Sequence, residues 1–536
     1  MNSKTYKLSL VAISIMAASQ ANAALYDIYE IAVPGEITEF AEVRSAAIQQ
    51  EDDAQSCFSR SCDNTTYKAA AETYNWSPGF GYREEVPYAM DNRFRYIVSR
   101  RDFEQYCIDQ LRYSTCLTWS EVEWNGYSRE RAGNYGNAFS FVENGDVYAN
   151  YNAVINSIDS DGAAIGNQRV DATVRNEAFV GASPLVYPTN AAQTRAWKKN
   201  GNLVIGSVSF FEANDRNSES NKTFYSQPAI WDVTSPNDPV RLSFGSGGST
   251  KSNELLGQGS LRDILDDGTN IYAVGYNTYS RQRMDATIFS VASADWDNPS
   301  SWQSKQVADA TSGDNYRFSN SVVTAVNRNY KAIGNAKLAG DKPSNGAASN
   351  LLFYIDDIRN PRATYFSGGI FFEGAGGKAG AINNHNEIVG QVDAEQIREV
   401  RGKQRRKRGF IYPLDSNSNA IFQGKSWLLD DLTNDGSASS VNNQYRIIDA
   451  TDINDAGVIS ATAIKCEGGY DTTAHNSFCG QGSKQESIVA IKLVPKSADT
   501  SIITRGVDQG SKVERKGGSL GWLGLGLLAL IGFRRK

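Results

Sequence analysis

The sequence predicts an all-β fold, a β-propeller of about six to eight blades with an irregular, partly helical N-terminal insertion. Three observations support this prediction. A phrase of strand, polar turn and strand recurs along the chain. An aromatic or aliphatic strand usually follows each copy after about 14 to 30 residues. Aromatic residues make up 11% of the chain, which also contains 47 glycines, and both features suit the packing of blades.

The most regular copy of the phrase is AINNHNEIVG at 381–390. Asn, Asp and Gly dominate its turns, and these residues accept the positive φ angles of tight turns. Successive copies end 56 to 70 residues apart, a length that fits one blade with long loops. The other copies are ATDINDAGVIS at 450–460, AVNRNYKAIG at 325–334, AWKKNGNLVIG at 196–206, DDGTNIYAVG at 266–275 and SFVENGDVYA at 140–149.

This phrase resembles the HAF-type extracellular repeat, in which an Ile-Asn turn and Ile-Val-Gly precede an aromatic strand. Residues 381–390, followed by Phe410 to Tyr412, match that pattern best, whereas the copy at 452–460 ends in Ser460 rather than glycine. The whole chain resembles uncharacterised exported repeat proteins of Gram-negative bacteria that carry domains of unknown function. The resemblance implies a propeller-like fold and transfers no catalytic residue.

Closure of the ring needs a further unit. Six copies of the phrase are visible, and we expect a seventh unit to be shared between the ends of the chain. In that unit LYDIYEIAV at 25–33 pairs near SIVAIKLV at 487–494, which leaves no exposed edge strand. A β-sandwich or a β-solenoid is the alternative. A sandwich would not repeat one phrase at this interval, and solenoid rungs are usually shorter.

Residues 1–23 are typical of a secretory signal peptide. Lys4 and Lys7 precede an apolar run, and Ala21 and Ala23 supply the small residues of a signal peptidase site. The apolar run has about 11 residues, well short of the roughly 20 that span a bilayer. We therefore expect export, with cleavage near Ala23.

The body of the chain divides into three predicted segments. Residues 24–125 form the first blade with a cysteine-containing insertion, because much of this stretch lacks the repeat and has partly helical spacing. Residues 126–495 form the remaining propeller repeats. Residues 496–516 are polar and weakly patterned, which predicts a linker.

Residues 517–536 read GGSLGWLGLGLLALIGFRRK and closely resemble the GlyGly-CTERM sorting signal of Gram-negative bacteria. Gly517, Gly518 and Ser519 begin the segment, a short apolar run follows, and basic residues end it. The resemblance implies that a rhombosortase-type intramembrane protease removes this tail after transient anchoring in the inner membrane. An ordinary C-terminal anchor helix is the alternative. We therefore expect a protein of the cell surface or the extracellular medium.

The six cysteines fall into three close pairs, and an even number in an exported protein predicts disulfides. A metal site is the weaker alternative, because the sequence has no CxxC motif and only two histidines, His385 and His475. No cofactor is expected. Proximity favours the pairs Cys57–Cys62, Cys107–Cys116 and Cys466–Cys479.

The strongest local anomaly is the basic run REVRGKQRRKRG at 398–409. On a net acidic chain, such a run could bind phosphate, lipopolysaccharide, nucleic acid or another acidic polymer. A solvated hairpin loop is the simpler interpretation, and a processing site for a protease is a third. The candidate residues of this anionic-ligand patch are Arg398, Arg401, Lys403, Arg405, Arg406, Lys407 and Arg408.

Charge and motif content argue against several functional classes. The formal charge of −6 falls to −11 without the five basic residues of the two ends, which argues against nucleic acid as a partner. Acidic turns at 159–162, 265–268, 434–436 and 454–457 could bind calcium, but none has the full ligand spacing of a calcium loop. The nucleophile motif GxSxG occurs only in degraded form, so a serine hydrolase has little support.

Two functional classes remain. The first is a non-enzymatic surface or secreted binding module for an unknown ligand, which the missing catalytic motifs and the varied loop lengths favour. The alternative is an extracellular hydrolase or lyase that acts on a polysaccharide or peptide, because a carboxylate-based site needs only two positioned acids. No catalytic residue is assigned.

Overall fold

The computed structural model confirms the all-β prediction, because seven four-stranded antiparallel sheets are arranged as a seven-bladed β-propeller. The predicted signal peptide and sorting tail, residues 1–23 and 517–536, lie outside the described residues. The structure describes residues 24–51, 55–83, 97–148, 152–172, 174–212, 223–252, 255–310, 318–415, 420–496 and 502–508.

The strands of the described residues are numbered in chain order. β1 to β9 are Tyr26–Glu30, Glu42–Ile48, Ala69–Tyr74, Ala138–Val142, Val147–Tyr148, Val154–Ile158, Ala164–Gln168, Glu177–Val180 and Ser183–Pro184. β10 to β19 are Ala191–Asn200, Leu203–Phe211, Phe224–Asp232, Val240–Arg241, Lys251–Ser252, Leu255–Leu256, Ser260–Asp266, Asn270–Thr278, Met284–Ala292 and Gln303–Gln306. β20 to β30 are Phe318–Val326, Ala332–Leu338, Asn350–Ile355, Thr364–Tyr365, Gly377–Ile382, Glu387–Asp393, Lys407–Pro413, Trp427–Leu428, Tyr445–Ile453, Ile459–Cys466 and Glu486–Pro495.

Six blades use strands that are consecutive in the chain, and the seventh joins the two ends. Blades 1 to 6 are β2–β5, β6–β9, β10–β13, β16–β19, β20–β23 and β24–β27, and β14–β15 is a separate hairpin. Blade 7 combines β28, β29 and β30 with β1. β1 pairs with β30 from Tyr26 opposite Pro495 to Glu30 opposite Ile491. This pairing confirms the predicted contact between the two ends and covers the edge of β30. It completes the blade that contains the copy at 450–460 and does not add a further unit.

The repeated phrase is the inner hairpin of a blade, whose first strand carries a β-bulge. The second strand places a small residue opposite the bulge for a steric reason. A Cβ atom would lie 1.8 Å from the carbonyl oxygen of Arg195 at Gly206, and 2.4 Å from that of Lys378 at Gly390. In blades 1 to 7 this residue is Ala71, Gly166, Gly206, Gly275, Gly334, Gly390 and Ala461.

Three details of the repeat differ from the prediction. The phrase at 140–149 is the outer hairpin β4–β5 of blade 1, not an inner hairpin. In blade 7 the residue opposite the bulge is Ala461 rather than Ser460. The inner hairpin of blade 2, with sequence VINSIDSDGAAIG at 154–166, went unrecognised because a longer turn separates its two strands.

The apolar core lies between neighbouring blades, and mainly polar side chains lie near the axis of the propeller. Val274 of blade 4 packs with Phe353 of blade 5 in one buried cluster, and Ile333 of blade 5 packs with Phe410 of blade 6 in the next. A fully buried Phe contributes about 2–3 kcal/mol relative to an exposed one. The aromatic third strands that the sequence shows after each phrase therefore hold adjacent blades together.

A helical insertion between β3 and β4, called the cap below and comprising residues 75–137, interrupts blade 1. It contains α1 (Arg100–Tyr106), a π-helical turn (Cys107–Leu111) and α2 (Cys116–Arg131). The predicted domain boundary at residue 125 therefore falls inside α2, and the two outer strands of blade 1 follow the cap. The buried aromatic core of the cap consists of Phe80, Phe103, Tyr106 and Tyr127, together with Phe224 of β12.

Part of the predicted linker is docked on the propeller. The backbone N–H of Arg505 donates to Oδ1 of Asp431 at 2.6 Å, and that of His475 donates to the carbonyl of Gly506 at 2.9 Å. The polar residues of this segment thus make hydrogen bonds to blades 6 and 7. No helix in the described part of the chain is long and apolar enough to cross a membrane. The three disulfides are Cys57–Cys62, Cys107–Cys116 and Cys466–Cys479, the pairs favoured by proximity.

Candidate binding cavity

A cavity of about 760 Å³ lies between the inner strands of the propeller and the cap. The first strand of every blade contributes side chains to its wall, and the aromatic residues of the cap contribute its roof. The volume falls within the range of roughly 300–1,000 Å³ that is typical of sites for small ligands. The cavity therefore has the size and enclosure of a ligand site.

The bulges of the inner strands decide which side chains enter the cavity wall. A bulge adds one residue that has no partner in the neighbouring strand, and the local bend redirects its side chain. Five blades place a small or short polar side chain at this position, and two place a large one. The bulge residues that line the cavity are Ala46, Asn156, Trp197, Arg262, Thr324, Ala381 and Thr451 in blades 1 to 7.

The two large bulge residues are stacked on each other. The guanidinium carbon of Arg262 lies 3.6 Å from the ring centroid of Trp197 and 5.3 Å from that of Tyr276. Arg262 is only 8% exposed. Its Nη1 atom and the Nε1 atom of Trp197 are buried and have no hydrogen-bond partner among the described residues. Two buried hydrogen-bond donors beside the cavity therefore lack an acceptor.

Three charged residues of the cavity wall directly follow a bulge residue. They are Lys198, Asp263 and Asp452, and we call this group the charged base. Asp263 Oδ2 accepts a hydrogen bond from the N–H of Val326 at 3.0 Å, and Asp452 Oδ2 accepts one from the N–H of Ile48 at 3.1 Å. Burial raises the pKa of Asp263 and raises that of Asp452 to about 6, whereas the charge of Lys198 lowers both. These two carboxylates connect neighbouring blades and share one cation.

An ion pair occupies the cavity wall near blades 1 and 2. Glu72 is bound by Arg83, whose Nη1 lies 3.0 Å from Oε2. The hydroxyl of Tyr74 donates to Oε2 of Glu72 at 2.7 Å, and the N–H of Ile155 donates to Oε1 at 3.1 Å. Every oxygen of Glu72 is thus engaged by groups of the protein.

The roof of the cavity is aromatic and contains one acid. Phe103, Tyr106 and Trp119 line it, and Glu123 of α2 lies among them. The side chain of Glu123 is half-buried and accepts a hydrogen bond from the Ser77 hydroxyl at 3.1 Å. Burial raises the pKa of Glu123 to about 7, although this hydrogen bond lowers it. Glu123 can therefore carry a proton at neutral pH.

The cap is attached on one side of the cavity by a buried ion cluster. Glu130 of α2 lies 2.6 Å from Arg169 and 2.7 Å from Arg175, and all three side chains are buried. Burial raises the pKa of Glu130, but the two arginines more than offset this effect and lower it overall. This cluster fixes the cap to blade 2.

The opposite side of the cap reaches blade 6. The N–H of Ser114 donates to the carbonyl of Gly402 at 2.8 Å, and the N–H of Arg401 donates to the carbonyl of Arg112 at 2.7 Å. The Cys107–Cys116 disulfide closes the loop that carries Arg112 and Ser114. The cap therefore bridges the cavity, and we call these two hydrogen bonds the latch.

A protein-family model described as a protein of unknown function (DUF3466) matches residues 193–536. The chain belongs to the DUF3466 family. The match begins in blade 3 and covers blades 4 to 6 and three strands of blade 7, whereas the cap and β1 lie outside it. No curated protein matches the chain.

Solved structures show similarity at low sequence identity. An α-L-arabinofuranosidase from Podospora anserina is 12% identical, with a TM-score of 0.25, and the alignment covers 59% of this chain and 96% of that one. The Trypanosoma rangeli sialidase is 9% identical, with a TM-score of 0.31 and coverage of 88% and 57%. Fructan 1-exohydrolase IIa from Cichorium intybus is 9% identical, with a TM-score of 0.26 and coverage of 57% and 56%. No statement about activity follows from these likenesses.

The basic run does not form one continuous surface patch. Arg405 is buried, and it donates to the carbonyl of Asn345 at 2.9 Å and to Asp393 at 3.2 Å. Arg408 is also buried and lies 3.0 Å from Asp430. Lys407 is half-buried and pairs with Asp393, so these three basic residues serve the fold. The residues of the run that remain exposed are Arg398, Arg401, Lys403 and Arg406.

The two histidines have different surroundings, because His475 lies beside two carboxylates and His385 lies in a turn. His475 lies 3.6 Å from Asp430 and 3.3 Å from Asp431. Burial lowers the pKa of His475, but the hydrogen bonds to these two carboxylates raise it overall. His385 lies in the turn of the blade 6 inner hairpin, where its N–H donates to Asn383 at 3.0 Å.

Two of the acidic turns are capped by their own aspartates. Asp159 Oδ1 accepts from the N–H of Ala163 at 2.8 Å, and Asp267 Oδ1 accepts from the N–H groups of Thr269 and Asn270. Across the described ranges, no group of three His, Cys, Asp or Glu side chains is arranged to hold a metal ion.

Arg262 and Trp197, which the structure brings together, were not predicted as site residues from the sequence. Their distances to the final small residue of the repeat differ, so alignment of the copies does not match them. The bulges show the correspondence, and Thr324 and Ala381 occupy the equivalent positions of blades 5 and 6. An arginine and a tryptophan are exceptional at such a position.

Proposed function

We propose that the chain is an exported β-propeller that binds a ligand in the cavity beneath the cap. The observation that carries the proposal is the wall at Arg262, where two buried donors lack a partner in a cavity of about 760 Å³. A buried donor without an acceptor costs about 1–3 kcal/mol. A ligand that supplies acceptors would remove this cost, which makes the cavity a better candidate than the exposed basic residues.

The proposal that the chain is exported rests on other features of the chain. Residues 1–23 have the pattern of a signal peptide, and three disulfides favour an oxidising compartment. The tail at 517–536 implies transient anchoring and release by a rhombosortase-type protease. Replacement of Gly517 and Gly518 by Leu should trap the full-length chain in the inner-membrane fraction. Recovery of that variant from the medium without its tail would contradict the sorting proposal.

Binding in the cavity is tested by filling it. Ala381→Trp introduces a large side chain at a bulge position of the cavity wall, and Val441→Trp introduces the same side chain at a site that is 65% exposed. We expect saccharides, organic acids or short peptides that raise the melting temperature of the wild type to do so for Val441→Trp but not for Ala381→Trp. Equal shifts in all three proteins would place the ligand outside the cavity.

A carboxylate-based hydrolase is the second candidate, and Glu123 is the observation that favours it. A carboxyl group with a pKa of about 7 can donate a proton to a leaving group at neutral pH. We would expect turnover of a glycoside or peptide substrate by the wild type and its loss in Glu123→Gln. Binding without turnover across a substrate panel would contradict the hydrolase and would support only the binding function.

A further inference from the structure

We propose that the cavity takes a carboxylate attached to a ring-shaped organic body, and that Arg262 binds this carboxylate; this inference rests on the proposed binding function. Arg262 is more than nine-tenths buried. It makes no hydrogen bond or ion pair with another residue in the described ranges, and its Nη1 atom is enclosed. A buried charge without a partner is costly, and buried arginines are therefore paired almost without exception. No residue of the described ranges supplies the pairing group, so we infer that a ligand supplies it.

The carboxylates of the cavity wall do not serve as that partner. Glu72 is bound by Arg83, Tyr74 and the N–H of Ile155. Asp449 lies 3.5 Å from Lys378. Each of these acids thus has a cation of its own, and neither is positioned to neutralise Arg262.

The two aspartates of the base are likewise engaged. Their oxygens accept hydrogen bonds from the N–H groups of Val326 and Ile48. The cation that lowers the pKa of both aspartates is Lys198. The guanidinium is therefore the one unpaired cation among the charged groups that surround Trp197 in the described structure.

Trp197 restricts how an anion can reach Arg262. The guanidinium carbon lies 3.6 Å from the centroid of the indole ring, so that Trp197 covers one face of the guanidinium. A fixed planar fork of donors matches the two oxygens of a carboxylate. Trp197 Nε1 adds a further free donor beside it. This arrangement selects an acceptor that lies in the plane of the guanidinium.

The rest of the cavity calls for a ligand larger than an inorganic anion. A volume of about 760 Å³ would remain mostly empty around a phosphate or sulfate ion. Tyr276, Tyr82 and Phe103 offer flat aromatic surfaces, and Asn156 and Thr324 offer polar groups. A ligand with a flat ring and hydroxyl groups can pack on the aromatic surfaces and hydrogen-bond to the polar groups. Sugar acids and aromatic acids share this chemistry, and the experiment separates them.

The experiment measures the dissociation constant by calorimetry on the protein purified from the periplasm. The ligands are galacturonate, digalacturonate and 4-hydroxybenzoate, with galactose and 4-hydroxybenzyl alcohol as neutral counterparts and inorganic phosphate as a bare anion. We expect one acid series to bind at least about tenfold more tightly than its neutral counterpart. Whichever series binds identifies the body of the ligand.

Three variants test the role of Arg262. Arg262→Gln removes the charge, and Arg262→Lys keeps the charge but removes the fork. Arg241→Gln is the matched control, because Arg241 also lies over an aromatic ring, that of Phe210, yet is exposed. We expect affinity to fall about 10- to 100-fold in Arg262→Gln, to fall less in Arg262→Lys, and to stay unchanged in Arg241→Gln. Circular dichroism verifies that each variant is folded.

The outcomes separate this inference from the proposed function. Tight binding of neutral ligands, with Arg262→Gln unaffected, overturns the role of Arg262 and leaves binding in the cavity intact. Binding of phosphate alone overturns the ring-bearing ligand. If Arg262→Gln fails to fold, unchanged affinity in Arg262→Lys still overturns the need for a planar fork. If none of the ligand classes binds, and Ala381→Trp does not change any ligand-induced shift in melting temperature, both the role of Arg262 and the proposed binding function are overturned.

Discussion

Oδ2 of Asp452 in blade 7 accepts a hydrogen bond from the backbone N–H of Ile48 in blade 1 at 3.1 Å. Asp263 makes the corresponding contact from blade 4 to Val326 of blade 5 at 3.0 Å. Both aspartates directly follow the bulge residue of an inner strand. The bulge thus directs one side chain into the cavity and the next one to the neighbouring blade, which couples the site to the closure of the ring.

Stability should depend on pH through Asp452. Burial raises its pKa from 3.8 to about 6, so the folded state binds the proton more tightly than the unfolded state. The free energy of unfolding therefore falls as the pH rises from about 4 to 7, by about 2–3 kcal/mol relative to Asp452→Asn. Urea unfolding of both proteins at the two pH values measures this difference. Parallel pH profiles would show that the carboxyl is not perturbed.

A methyl group at Gly206 should disrupt blade 3. Its Cβ would lie 1.8 Å from the carbonyl oxygen of Arg195, so the inner hairpin must move apart. We expect Gly206→Ala to lower the free energy of unfolding by about 3 kcal/mol or more. Gly35→Ala is the control, because no atom lies within 4 Å of its Cβ position. Similar stability of the two variants would refute the steric explanation of the repeat.

Arg505 should hold the docked C-terminal segment in place. Its side chain is buried and donates to the carbonyls of Asp430 and Thr473 at 2.7 and 3.0 Å. Arg505→Ala removes these bonds and leaves buried acceptors unpaired, at a cost of about 1–3 kcal/mol. We expect rapid hydrogen–deuterium exchange over 502–508 in this variant. Protection equal to that of the wild type would mean that other contacts hold the segment.

The Cys107–Cys116 disulfide should control the latch of the cap. Closure of so short a loop contributes about 2–3 kcal/mol, and the loop carries Ser114, which bonds to Gly402. Replacement of both cysteines by Ser should speed amide exchange over 107–116 and weaken ligand binding. The matched control replaces Cys466 and Cys479, which lie in blade 7. Unchanged exchange at the tip of the cap would contradict the latch.

The architecture was predictable because its steric demands recur in every blade. A small residue must face each bulge, and Gly334 and Gly390 therefore mark their blades in the sequence. The binding wall has no such repetition. Arg262 and Trp197 are 65 positions apart and meet because blades 3 and 4 are neighbours. Only the assembled ring could bring them together.

The burial of Arg405 could not be predicted from the sequence either. In the sequence it is one basic residue of a run that predicts a solvated loop or an anionic-ligand patch. In the structure it donates to the carbonyls of Asn345, Gly374 and Ile397. Asn345 and Gly374 belong to loops that are distant in sequence, so its burial depends on tertiary contacts that local composition does not encode.

A crystal structure of the protein with the tightest-binding acid from the calorimetry would test the central claim most directly. We predict that the carboxylate lies within hydrogen-bond distance of the Arg262 guanidinium, with the ring of the ligand inside the cavity beneath the cap. A ligand bound on the outer surface, with the cavity free of it, would contradict the account.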